Sequence, residues 1–157
     1  MPQFTLHVSG ALEGCTLESK AGSAIRVRLC CTSCREPSPK VTVLSTLDER
    51  VPIPGSKGEA HLVQRCACKA VATVEVVRHH TAPLDAAALA AGAPLCVLEC
   101  RGCEPCAWEA GDGWGVAGLA SGAWEASFLE EETFSEYDET AGAVVEVGGL
   151  RGEWRKS

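Results

Sequence analysis

The chain has 157 residues, 46% hydrophobic and 22% charged, enough for one domain whose core needs no covalent staples. No apolar run approaches the ~18 residues that a membrane-spanning helix requires, so no membrane partner is expected. The net charge of −7, with basic residues scattered and the longest charge run acidic, argues against a nucleic-acid reader, which draws its affinity from a basic patch that neutralises phosphates. The first stretch, MPQFTLHVSGALEG, carries no basic leader, continuous apolar segment or small-residue cleavage site. No secretory signal is expected, and the protein is expected in the cytoplasm or also the nucleus.

In chain order, FTLHVSG (4–10) places Phe4, Leu6 and Val8 on one face, and AIRVRLC (24–30) sets Ile25, Val27 and Leu29 against Arg26, Arg28 and Cys30. A period of two predicts half-buried strands. Further strands are predicted at 40–47, 59–66, 71–78, 94–100, 123–129 and 143–149, with VPIPGSKG (51–58) and AGDGWGVAGLASG (110–122) as Gly- and Pro-marked connections. LDAAALAAG (84–92) reads as a short helix or a loop, with Asp85 as the N-cap and Gly92 as the stop. The fold class is all-β, one domain over 1–157. RLCCTSCREPSP (28–39) is echoed by VLECRGCEPCAW (97–108), so that Cys31, Cys34 and Pro37 align loosely with Cys100, Cys103 and Pro105. An internal repeat is expected, residues 24–78 matching 94–149.

The chain has ten cysteines. In a reducing compartment clustered thiols are metal ligands or reactive groups before they are disulfides. Structural zinc takes four ligands in a tetrahedron, with sulfurs ~3.8 Å apart. Cys31-Thr-Ser-Cys34 supplies two thiols from a tight turn. Cys66-Ala-Cys68 supplies two from an extended segment, where alternate side chains project to one side. Cys31, Cys34, Cys66 and Cys68 are therefore the predicted ligands of one zinc ion per chain. A redox role for Cys31 and Cys34 would call for a helix after the motif, and Pro37 and Pro39 block one. Four thiolates leave no position for water or substrate, so the zinc is read as structural and the protein as not an enzyme. The competing reading is a metal-trafficking or thiol-redox protein that uses the six other cysteines.

The remaining signals have plain explanations. His79 and His80 end a strand ahead of Pro83 and read as solvated, and Trp108, Trp114, Trp124 and Phe128 read as core plugs. GDGWGVAG lacks the Lys-Ser/Thr end of a phosphate-binding loop. The acidic run 130–139 reads as a solvated surface segment. Cys96, Cys100, Cys103 and Cys106 have a spacing compatible with a second metal, yet the first two, four apart on a strand, are too distant to share one ion. They are expected to hold none.

The motifs CCTSCRE, GEAHLVQRC, ECRGCEP and GWGVAGLASG through SEYDE resemble, in order and spacing, the CxxC-motif-containing zinc-binding proteins of eukaryotes. The resemblance runs nearly end to end. It implies an all-β fold of two similar, intertwined halves related by a pseudo-two-fold, a single four-cysteine zinc site in the first half, and no established catalytic activity. Cys31, Cys34 and Cys66 fall on the family's ligand positions. The family has two CxxC pairs where this chain has CxxC and CxC, so Cys68 becomes the fourth ligand by a one-residue deletion. A monomeric binding or adaptor module with an unnamed protein partner is the expected function.

Overall fold

The alternation seen in the sequence becomes strand pairing throughout the computed structural model, which describes residues 2–157. Strands are numbered in chain order. The largest sheet is six-stranded and antiparallel, with spatial order β13 (Thr133–Asp138), β14 (Ala143–Lys156), β1 (Gln3–Glu13), β9 (Ala93–Arg101), β8 (Val71–His79) and β7 (Leu62–Arg65). A three-stranded sheet joins β10 (Cys103–Glu109), β3 (Ile25–Cys31) and β4 (Thr42–Leu44), and another joins β12 (Ala123–Phe128), β11 (Gly111–Gly118) and β2 (Cys15–Ser19). A two-stranded ribbon pairs β5 (Val51–Pro52) with β6 (Glu59–Ala60). Among the described residues the molecule is all-β apart from α1 (Ala86–Ala91), where the Asp85 side chain accepts a hydrogen bond from the Ala88 amide at 2.8 Å. Among the described residues no helix is long and apolar enough to cross a membrane.

One core lies between the sheets. On the large sheet the cross-strand rows Phe4–Leu98–Val76 and Val74–Cys100 follow directly from the register, and all five side chains are buried. Val27 and Leu29 of β3 and Trp114 and Val116 of β11 close over them. Trp114 is the central plug, edge-on to both Trp108 and Phe128 at centroid distances of 6.3 Å. Trp124 instead packs at a tilt on Phe134.

Several expectations from the sequence need correction. Segment 59–66 is not one strand; it breaks at His61, whose Nδ1 accepts from the Val76 amide at 3.0 Å. Residues 110–122, read as a loop, contain β11. Its glycines disguise it: Gly113 has φ +79, and a Cβ there would stand 2.5 Å from Ser23. The acidic run 130–139 contains β13, an edge strand that pairs with β14 through its backbone while most of its side chains stay exposed. An edge rich in charge is also protected against pairing with another chain.

The two outermost hairpins of the large sheet each meet the loop that follows the middle strand of a small sheet. At one end the β13–β14 turn meets the loop after β11, and the buried carboxylate of Asp138 joins them. It accepts from the amides of Ala120, Ser121, Thr140 and Ala141 at 3.3, 3.1, 3.1 and 3.1 Å, and from the Ser121 hydroxyl. The Ser121 hydroxyl first, then the amides, hold the Asp138 carboxyl down at about 2. At the other end the β7–β8 turn meets the loop after β3, and there sulfur replaces the carboxylate.

Candidate metal centre

The first knuckle begins where β3 stops. The Cys31 amide donates to the Glu36 carbonyl at 3.1 Å and the Arg35 amide to the Cys31 carbonyl at 2.9 Å, closing a turn around Cys31-Thr32-Ser33-Cys34. The second closes one residue sooner. Here the Cys66 amide donates to the Ala70 carbonyl at 2.9 Å and the Lys69 amide to the Cys66 carbonyl at 2.8 Å. In each knuckle the residue after the second cysteine is left-handed, Arg35 at φ 64 and Lys69 at φ 73, and among the described residues no other non-glycine has positive φ. The missing residue of the CxC motif is thus absorbed by a tighter turn with the same exit. Cys66 and Cys68 do not sit on an extended segment, as the sequence had suggested: β7 ends at Arg65, and both belong to the turn.

The knuckles bring together the four predicted cysteines. Cys31 Sγ lies 3.6 Å from Cys68 Sγ, and Cys34 Sγ 3.6 Å from Cys66 Sγ. All four sulfurs fall within 4.8 Å of one another. Cys31 is buried, Cys34 and Cys66 are half-buried, and Cys68 is exposed. These separations match a tetrahedral zinc, whose Zn–S bonds of ~2.3 Å put sulfurs ~3.8 Å apart.

Backbone amides prepare the sulfurs for negative charge. The amides of Cys34 and Ser33 point at the Cys31 sulfur and draw its pKa down to about 6. The Glu36 amide acts on Cys34 in the same sense, but hydrogen bonding with the Cys66 thiol, burial and the other thiols push Cys34 up to about 12. Cys68 repeats this pattern, its Ala70 amide outweighed by Cys66 and burial, so that its pKa is raised. Four thiols this close cannot all ionise unless a cation joins them. A divalent cation would satisfy this donor set, and the soft sulfur ligands suit zinc.

The second cysteine run behaves differently. Cys96 faces Leu6 and Cys100 faces Val74 across the large sheet, both fully buried, filling the core as small apolar side chains. Burial pushes the Cys96 thiol up to about 12. Cys103 is buried opposite Cys31, and Cys106 is exposed. Among the described residues, the one group that gathers three or more metal-ligating atoms is Cys31, Cys34, Cys66 and Cys68. His79 is half-buried rather than solvated, its Nε2 2.7 Å from the Ser19 hydroxyl, and burial lowers its pKa.

Two cysteine knuckles facing each other across an all-β scaffold define a zinc-binding β protein. The family model for "CXXC motif containing zinc binding protein, eukaryotic" matches residues 5–155, and the chain belongs to that family. It is 29% identical over 151 residues to a CXXC motif containing zinc binding protein of Xenopus laevis, with 94% of each chain covered. The protein of the same name in Homo sapiens is 28% identical over the same length and coverage. The fold superposes on the crystal structure of C1orf123 with a TM-score of 0.86 at 24% identity, over 99% of both chains.

Proposed function

We propose that the protein is a zinc-clamped binding or adaptor module, not an enzyme, holding one zinc ion per chain on Cys31, Cys34, Cys66 and Cys68. The observation that carries this reading is the convergence of four sulfurs within 4.8 Å from two segments some thirty residues apart in sequence. Four thiolates fill the zinc coordination sphere, so the ion binds no water to activate and polarises no substrate. It ties the β7–β8 turn to the end of β3. The test is elemental analysis of purified protein with X-ray absorption at the zinc edge. About one zinc per chain in a four-sulfur shell is expected, lost in Cys34→Ser and Cys66→Ser; a shell without sulfur sinks the reading.

The surface beside the ion suits a protein partner. A cleft of about 310 Å³ lies against Cys31 and Cys66, lined by Leu29, Pro37, Pro39 and Ala72 among others. The net charge of −7 supports a partner other than nucleic acid. A thiolate site works only when reduced, which supports the cytoplasm as its place. We take the chain to act as a monomer.

The exposure of Cys68 favours a second reading, metal delivery, because an outward-facing sulfur is where an acceptor thiol would attack. Exchange separates the two. A structural ion stays bound through hours with a mild chelator, whereas a delivered ion leaves within minutes.

The strand order also supports a pseudo-two-fold. Exchanging β1 with β9, β7 with β13 and β8 with β14 maps the large sheet onto itself, and exchanging β3 with β11 maps the two small sheets onto each other. In this register the halves begin near residues 3 and 93, and Cys31 corresponds to the end of β11 rather than to Cys100. The carboxylate of Asp138 then stands where the first half has its four thiols.

A further inference from the structure

Cys30 and Cys106 belong to neither the metal centre nor the core. Strand alternation turns Cys30 away from Cys31, leaving it half-buried while Cys31 is buried. On the partner strand the register passes from Pro105↔Leu29 to Ala107↔Arg28, so Cys106 is the extra residue of a bulge. A bulge re-aims the side chain it carries. Here it brings Cys106 Sγ to 2.8 Å from Cys30 Sγ and 3.3 Å from the Arg28 carbonyl. The thiol pairs of the metal centre stand 3.6 Å apart. A disulfide needs ~2.05 Å, so the Cys30 and Cys106 sulfurs have less than about 1 Å to close.

Access singles out the same pair. Outside the metal set, Cys15, Cys96, Cys100 and Cys103 are buried, leaving Cys30 half-buried and Cys106 exposed. An oxidant in solution meets these two thiols first. We propose that Cys30 and Cys106 are a modification site, forming a reversible disulfide that fastens β3 to β10 beside the metal centre and uses none of its four sulfurs.

The oxidant is a low-molecular-weight disulfide of the glutathione class. The Cys106 thiolate attacks one of its sulfurs, forming a mixed disulfide and expelling one thiolate. The Cys30 thiolate then attacks Cys106 Sγ and expels the second. Two protein thiols are oxidised to one disulfide, and one small disulfide is reduced to two thiols, which take up the two protons. The bond ties down β3 at the residue before Cys31. The proposal is independent of whether zinc is structural or delivered.

The test incubates the purified, metal-loaded chain with oxidised glutathione at mildly alkaline pH, followed by intact mass, peptide mapping and metal content. The expected result is loss of two of the ten thiols, a mass decrease of about 2 Da with no glutathione retained, a cross-linked peptide joining Cys30 to Cys106, and unchanged metal. Dithiothreitol restores both thiols. Cys30→Ser leaves a stable glutathione adduct on Cys106. A wild-type chain that stops at that adduct, keeps both thiols reduced, or cross-links through Cys31, Cys34, Cys66 or Cys68 with loss of metal overturns the proposal. The wild-type peptide map decides the matter even if a variant fails to fold.

Discussion

Arg35 and Lys69 are exposed side chains on the two backbone positions that close the knuckles. Left-handed backbone costs an ordinary L-residue about 1–2 kcal/mol, whereas asparagine enters it more readily. Lys69 already bears that cost, and a β-branched residue tolerates positive φ still less. Lys69→Asn is therefore expected to keep or tighten zinc affinity, and Lys69→Val to weaken it about tenfold. Both remove the charge, so a competition titration comparing them isolates the backbone; equal affinities would refute the argument. Proton competition acts on the same site, because zinc binds thiolates. Affinity should weaken steadily on acidification. Cys31, drawn down to about 6, adds its proton to that dependence only below about pH 6, which a zinc titration between pH 8 and 5 would reveal as a steepening. The ligand types were legible in the sequence because thiol spacing limits what a turn can bring together. The left-handed Lys69 was not, since nothing in a lysine announces positive φ.

Among the elements, the legible strands were those buried on one face. β3 alternates without a break from Ile25 to Cys31, and its side chains alternate in burial just as regularly. β13 had no such signal, because an edge strand is held by its ladder to β14 and most of its side chains, Glu136 among them, face solvent. β10 was hidden by its bulge, which breaks the period at Cys106. β13 ends in Asp138, which the sequence presented as one more surface acid and which is 1% exposed. Its loss is the sharpest test at this scale. Asp138→Ala takes the acceptor away from four backbone amides and the Ser121 hydroxyl and should lower Tm on the order of 10 °C. The pH dependence has a definite sign. A carboxyl depressed from its usual value near 4 to about 2 contributes stability that is complete above pH 4 and lost as pH falls toward 2. Asp138→Asn should be flatter than wild type across that window in acid unfolding followed by circular dichroism; parallel curves would exclude the carboxylate as the cause.

Over the whole molecule, the six-stranded sheet carries a hairpin at each edge, one held to its neighbouring loop by Asp138 and the other facing its loop across the four cysteines. Hydrogen exchange after chelation should therefore be uneven. Amides at 31–36 and 62–72 are expected to lose protection, while those of β13, β14 and the central pair β1 and β9 keep theirs; uniform loss would mean that the ion governs the entire fold. The carboxylate is part of the chain and travels with it wherever it goes. The ion must be acquired, and its contribution grows with the logarithm of free zinc once that exceeds Kd. With zinc held on the four cysteines as proposed, one edge of the sheet is set at synthesis and the other by the metal supply of the compartment, so in zinc starvation the chain would persist as a half-open molecule with the cleft lining at Pro37, Ala67 and Ala72 released from its shape.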